Sequence, residues 1–137
     1  GLVGSEMCIR DSHEGEFLRV GGNLSQGRTA AATEFAHQSG AVVVLKGPGT
    51  VVAGPDGRCR VNTTGNCGMA KGGSGDVLSG VVLALLGLGM DAFDACCCAV
   101  WLHGRAGDLA AQEKGQWGMT PTDLLERLPQ ALREVTE

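Results

Sequence analysis

The chain has 137 residues, 43% of them apolar, and a formal net charge of −4. That length fits one domain or part of one with an ordinary core. The weak negative charge leaves no footprint for nucleic acid, no block of like charges marks an anionic membrane surface, and the absence of tyrosine argues against a base-stacking platform. No stretch approaches the roughly 20 apolar residues that a spanning helix needs.

In chain order, residues 1–12 have neither a basic start nor an apolar run, so they are not a secretory signal. Leu24 to Ser39 reads as a helix with Ala30, Ala31, Phe35 and Ala36 on its apolar face and Gly40 as its stop. Ala41 to Leu45 is a continuous β-branched apolar run, which predicts a strand buried on both faces. Lys46–Gly49 is a loop. Thr50–Ala53 and Arg58–Asn62 read as strands joined in a hairpin around Pro55, Asp56 and Gly57. Asp76 to Leu88 is apolar nearly all round, which predicts a buried helix. Asp91, with Asp94 three residues on, opens another helix running to about Gln112, whose Ala92, Ala95, Ala99, Gly104, Ala106 and Gly107 suit close packing on the preceding helix. Thr120-Pro-Thr-Asp123 marks a last start with Pro121 at the first helical position and Leu124, Leu125 and Leu128 facing inward. Pro129 is expected to interrupt that helix, leaving a short turn over Ala131–Val135.

The six cysteines form no framework. Cys96, Cys97 and Cys98 are adjacent on a helix, so their side chains fan out and cannot converge on one metal; as small apolar residues they suit a reducing, cytoplasmic compartment. His103 and Asp108 stand about 140° apart on the same helix and read as structural.

The densest chemistry lies in Gly68-Met-Ala-Lys-Gly-Gly-Ser-Gly-Asp-Val-Leu-Ser-Gly80. Glycines let a ligand approach the backbone, and a helix start behind them offers unpaired N–H groups and a positive dipole end. Gly72, Gly73, Ser74 and Gly75 thus form an anion loop suited to phosphate. It is neither a P-loop, since Lys71 is followed by Gly72, nor the dinucleotide fingerprint, since Gly75 is followed by Asp76-Val77-Leu78. Asp76 is the telling residue, because a carboxylate repels phosphate unless it does chemistry or binds a cation. The plainer reading is a tight loop with an aspartate cap.

The segment Asn62-Thr-Thr-Gly-Asn-Cys-Gly-Met-Ala-Lys-Gly-Gly-Ser-Gly-Asp-Val-Leu-Ser-Gly80 resembles the NAD(P)H-hydrate dehydratases of the ribokinase-like superfamily. His13-Glu-Gly-Glu-Phe-Leu-Arg19, Leu45-Lys-Gly-Pro-Gly-Thr50 and Leu102-His-Gly-Arg-Ala-Gly-Asp108 resemble the same family in the same order. The resemblance implies an α/β fold, a ribokinase-like three-layer α/β/α sandwich, of which residues 13–137 are the C-terminal portion; residues 1–12 read as a non-native or divergent segment. It implies nucleotide-dependent dehydration of hydrated NADH or NADPH with ADP or ATP, and Mg²⁺ carried by the phosphates rather than by a protein metal site. Asp76 would be the catalytic base and touch substrate, Lys46, Gly47, Pro48, Gly49, Thr50 and Gly75 would line the nucleotide, and His13 would contact the hydrated nicotinamide. Intact relatives imply a homo-oligomer, a tetramer. Read without the resemblance, Lys46 is equally a solvated lysine at a strand end, and His13 beside Glu14 and Glu16 a surface residue. Asn62, Asn66 and Lys71 flank the loop as possible ligand contacts or as plain loop residues. Two competing readings are a superfamily kinase for a hydroxymethylpyrimidine or hydroxyethylthiazole and an inactive fragment that binds an anion weakly.

Overall fold

A computed structural model describes residues 2–3, 9–13, 27–47, 49–69 and 73–136. Among these, the strands are β1 (Leu2–Val3), β2 (Ile9–His13), β3 (Val42–Lys46), β4 (Val51–Ala53) and β5 (Cys59–Val61), and the helices are α1 (Arg28–Ser39), α2 (Ser74–Gly87), α3 (Ala92–Gly118) and α4 (Pro121–Thr136). A short 3₁₀ turn covers Cys67–Met69.

The strands form one sheet in the order β1-β2-β3-β4-β5. Only β2 and β3 run parallel; β1/β2, β3/β4 and β4/β5 are antiparallel. A glycine-loop domain of this class leads one to expect a parallel-rich sheet, and connection length explains the difference. Parallel neighbours need a crossover of a dozen or more residues, which the segment holding α1 supplies between β2 and β3. The loops after β3 and β4 are too short to cross over and force antiparallel returns. The backbone of Ile9–Ser12, part of the segment read as non-native or divergent, lies in register on β3, with His13 opposite Lys46.

Alternation along β3 and β4 builds the layers. Val43, Leu45, Val51 and Ala53 face α1 and pack with its Ala31, Ala32 and Ala36. Val42, Val44 and Val52 face the other way, onto Leu78 and Val82 of α2 and Phe93, Cys96 and Val100 of α3. That is the three-layer α/β/α arrangement, with β3 buried on both faces until Lys46. Ala30 is exposed and Ala32 takes its expected place, because the α1 contact stripe is set one residue later. Gly40 ends α1 at φ 69°, a left-handed position that glycine occupies without cost.

Three helical expectations are corrected. The first concerns α2, which is buried along one stripe only: Leu83 is 55% and Leu88 80% exposed, since α2 meets neighbours on one side. In α3 the chain continues past Gln112 to Gly118, with the break at Gly115, where φ is 76°. The fourth helix runs on through Pro129 to Thr136, the flanking turns being held by packing of Leu124 and Ala131 on Leu102, Ala106 and Leu109. Leu125, expected inside, is exposed. Both predicted starts stand. Asp91 Oδ2 accepts from Asp94 N–H at 3.3 Å, and at α4 the Thr120 N–H donates to Asp123 Oδ2 at 2.9 Å while Asp123 N–H donates to Thr120 Oγ1 at 3.2 Å, a reciprocal cap.

Candidate active site at the start of the second helix

The predicted anion loop meets a helix, but the helix starts earlier than expected: Ser74 and Gly75, expected in the loop, are its first two residues, and the cap is not Asp76. Gly73 is its N-cap at φ 94°, and no side chain bonds the first-turn N–H groups from that position. A side chain would be strained there, so glycine both allows the turn and leaves the helix end accessible. Asp76 sits in this first turn, exposed to solvent, while Ser74 is buried. Gly72 and Lys71 lie outside the described residues.

Lys46 reaches the loop from the sheet. It is the last residue of β3, and its Nζ lies 3.4 Å from where a Cβ on Gly75 would be. A Cβ at 75 would stand in van der Waals contact with the ammonium. The end of β3 and the start of α2 converge on one spot that holds a cation, a helix dipole's positive end and a carboxylate. The residues after Lys46 bend through Gly47 at φ 146° and Gly49 at φ 64°. Thr50 Oγ1 donates to Gly47 O at 3.2 Å. Pro48 lies outside the described residues. The register of β2 on β3 places the His13 backbone beside Lys46 at the same sheet end.

One supporting residue, Arg28, is not singled out in the sequence, and two others, His103 and Asp108, read there as structural. Arg28, the first residue of α1, donates through Nη1 to Gly49 O and through Nη2 to Leu45 O and Lys46 O, each at 3.1 Å. No local pattern announces this, since its partners are backbone carbonyls at least seventeen positions away. His103, read as structural, bonds through Nε2 to Ser74 O at 2.9 Å and lies 3.3 Å from Ser74 Oγ. A carbonyl only accepts, so Nε2 carries the hydrogen. Asp108, also read as structural, accepts from Gly65 N–H and from Asn66 Nδ2, both at 3.0 Å.

Asn62 and Asn66 are thereby assigned to the scaffold. Asn62 Nδ2 donates to Val100 O at 3.1 Å, Thr64 Oγ1 donates to Trp101 O at 2.9 Å, and Asn66 Oδ1 accepts from Gly68 N–H at 2.9 Å. The segment entering the glycine loop is thus tied to α3 along two helical turns. The glycines of α3 serve this segment rather than the α2 contact expected of them: a methyl group on Gly104 would strike Thr64, and one on Gly107 would strike Met69. Among the described residues no cluster of histidine, cysteine or acidic side chains could hold a metal ion.

The family model described as NAD(P)H-hydrate dehydratase matches residues 8–130. The chain belongs to the NAD(P)H-hydrate dehydratase family. It is 48% identical over 129 residues to a bifunctional NAD(P)H-hydrate repair enzyme of Thermofilum pendens, covering 91% of this chain and 25% of that protein. It is 41% identical over 125 residues to the ADP-dependent (S)-NAD(P)H-hydrate dehydratase of Bacillus subtilis, covering 88% of this chain and 45% of that one. The crystal structure of the Bacillus subtilis ADP/ATP-dependent NAD(P)H-hydrate dehydratase, co-crystallized with ATP/Mg²⁺, superposes with a TM-score of 0.86 at 39% identity, over 92% of this chain and 47% of that one. A ribokinase-like superfamily protein of Enterococcus faecalis superposes with a TM-score of 0.80 at 28% identity. The chain therefore spans a quarter to just under half the length of these family members.

Proposed function

We propose that this chain carries the nucleotide side of an ADP- or ATP-dependent dehydratase that restores NADH or NADPH from the hydrated form. One observation carries the reading: Lys46 Nζ meets Gly75 in the first turn of α2, next to Asp76. The ammonium and the first-turn N–H groups suit phosphate oxygens, with Gly47, Pro48, Gly49 and Thr50 lining the same nucleotide and Gly72, Gly73 and Ser74 completing the loop. When bound, the nucleotide supplies the phosphoryl group that turns a ring hydroxyl into a better leaving group. Asp76 takes the proton from that hydroxyl. His13, at the neighbouring strand end, contacts the hydrated nicotinamide. Residues 13–137 make up the C-terminal portion of the dehydratase domain, in a cytoplasmic homo-oligomer.

Mg²⁺ would enter with the nucleotide, because phosphates beside Asp76 concentrate negative charge and the described residues offer no cage of their own. Two measurements test the reading. Calorimetry with ADP and Mg²⁺ is expected to show binding to this chain, and excess chelator to weaken it. For turnover, the matched part of the Bacillus subtilis relative is replaced by this chain, and the absorbance of reduced nicotinamide is followed after adding hydrated NADH and ADP. Recovery of absorbance supports dehydration. Phosphorylation of a hydroxymethylpyrimidine with no such recovery would favour a superfamily kinase instead.

A further inference from the structure

We propose that Arg28 is the positioning residue of the nucleotide loop: it acts on ligand through the backbone of Leu45, Lys46 and Gly49 without touching ligand itself. The proposal rests on the function just given. Its guanidinium lies half-buried and donates to the carbonyls of Leu45, Lys46 and Gly49, at 3.1 Å each. The Gly47 carbonyl is taken by Thr50 Oγ1 at 3.2 Å. Every described carbonyl of the Leu45–Gly49 turn is thus held by a donor from within the chain.

Two consequences follow from elementary electrostatics. First, carbonyl oxygens are the negative ends of peptide dipoles. Left loose at the mouth of a phosphate site, they would oppose the anion that Lys46 and the α2 dipole attract. Bonding them to a permanent cation turns them away and neutralises them. Second, the planar fork fixes the strand end on one side and the returning turn on the other, so it sets where Lys46 leaves the sheet. From that exit Lys46 Nζ comes within 3.4 Å of where a Cβ on Gly75 would be.

The glycine at position 47 belongs to the same device. A Cβ there would lie 2.9 Å from Arg28 Nη2, and the φ of 146° already disfavours a side chain. Gly47 therefore leaves room for the guanidinium as well as for ligand. A lysine in place of Arg28 would keep the charge but present one point donor where a fork spans both sides of the turn.

The test is ADP affinity by calorimetry, with Mg²⁺ held constant, for the 137-residue chain and for Arg28→Ala and Arg28→Lys, each checked for folding by circular dichroism and thermal midpoint. Both variants are expected to bind ADP at least about tenfold more weakly, because the loop and Lys46 are no longer held in place for the phosphates. Millimolar guanidinium, but not methylammonium, is expected to recover most of the loss in Arg28→Ala. A merely structural arginine would lower the thermal midpoint and leave the affinity of the folded fraction unchanged. Should Arg28→Ala not fold, Arg28→Lys, which keeps the stem and charge, decides. Folded Arg28→Lys binding ADP within about twofold of the unaltered chain overturns the proposal. Failure of the unaltered chain itself to bind ADP overturns the nucleotide reading, and this proposal with it.

Discussion

Residues at this site divide into those that would meet ligand and those that hold them. Asp76 stood out in the sequence because a carboxylate after glycines is chemically conspicuous, whereas Lys46 was singled out through the family resemblance, since by itself a lysine at a strand end reads equally as solvated. Arg28 and the His103–Ser74 contact were not legible there, since each works through backbone carbonyls brought close only by the fold. His103→Gln keeps a donor near the Nε2 position, so it is expected to preserve ADP binding better than His103→Ala, as calorimetry would show. The cysteine run is also readable at this scale. Cys96 is buried, Cys97 half-buried and Cys98 exposed, the fan that helical geometry requires. Burial pushes the Cys97 thiol up to about 11. A raised value means that the proton stays on at neutral pH, and the thiolate is the nucleophile. Alkylation at pH 7.5 followed by peptide mass analysis should mark Cys98 and spare Cys97, and Cys97 labelling should rise about tenfold per pH unit toward pH 11. Rapid labelling of Cys97 at neutral pH would contradict its placement.

At the scale of elements, α3 organises the site. Its Val100 and Trp101 carbonyls, His103 and Asp108 each grip a different part of the path from Asn62 to Ser74. Gly104 and Gly107 let that path lie against the helix backbone. Gly104→Ala would therefore force Thr64 and its hydrogen bond to Trp101 apart. Overpacking of this kind costs about 1–3 kcal/mol, readable as a lower urea midpoint. An ordinary exposed glycine in a helix would behave oppositely, gaining stability on the change to alanine. The sequence pattern marked these small residues but not their partner, because periodicity reports which side of a helix is crowded and not by what. The same limit explains α2: an apolar helix can be recognised by composition, yet how much of it is covered depends on its neighbours, and Leu83 and Leu88 remain exposed. Pro129 misled for a related reason. A proline removes one local bond, and the packing of Leu124 and Ala131 on either side keeps the helix going.

For the molecule as a whole, the layers followed from period-two alternation in β3 and β4, while the strand directions followed from connection length. The first was visible in the valine run Val42–Val44; the second required knowing that Ile9–His13 takes a place beside β3. That pairing brings the backbone of His13 to the same sheet end as Lys46, where strand ends of α/β folds present their ligand sites. The surface charges add local fastening. Arg58 bonds Asp56 at 2.8 Å and Asp91 at 3.1 Å and stacks 4.6 Å from the centre of the Phe93 ring, tying the β4–β5 turn to the start of α3. These pairs are exposed, so they orient the turn more than they stabilise it.

The central claim is that Asp76 is a base placed beside a nucleotide phosphate site, and Asp76→Asn tests it most directly. The substitution keeps the shape of the side chain and removes the proton acceptor. In the Bacillus subtilis relative carrying this chain in place of its matched part, hydrated NADH turnover is expected to fall by a factor of about 10² or more, with ADP affinity within about twofold. Turnover close to that of the unaltered chimera, with ADP still bound, would show that Asp76 is not the base.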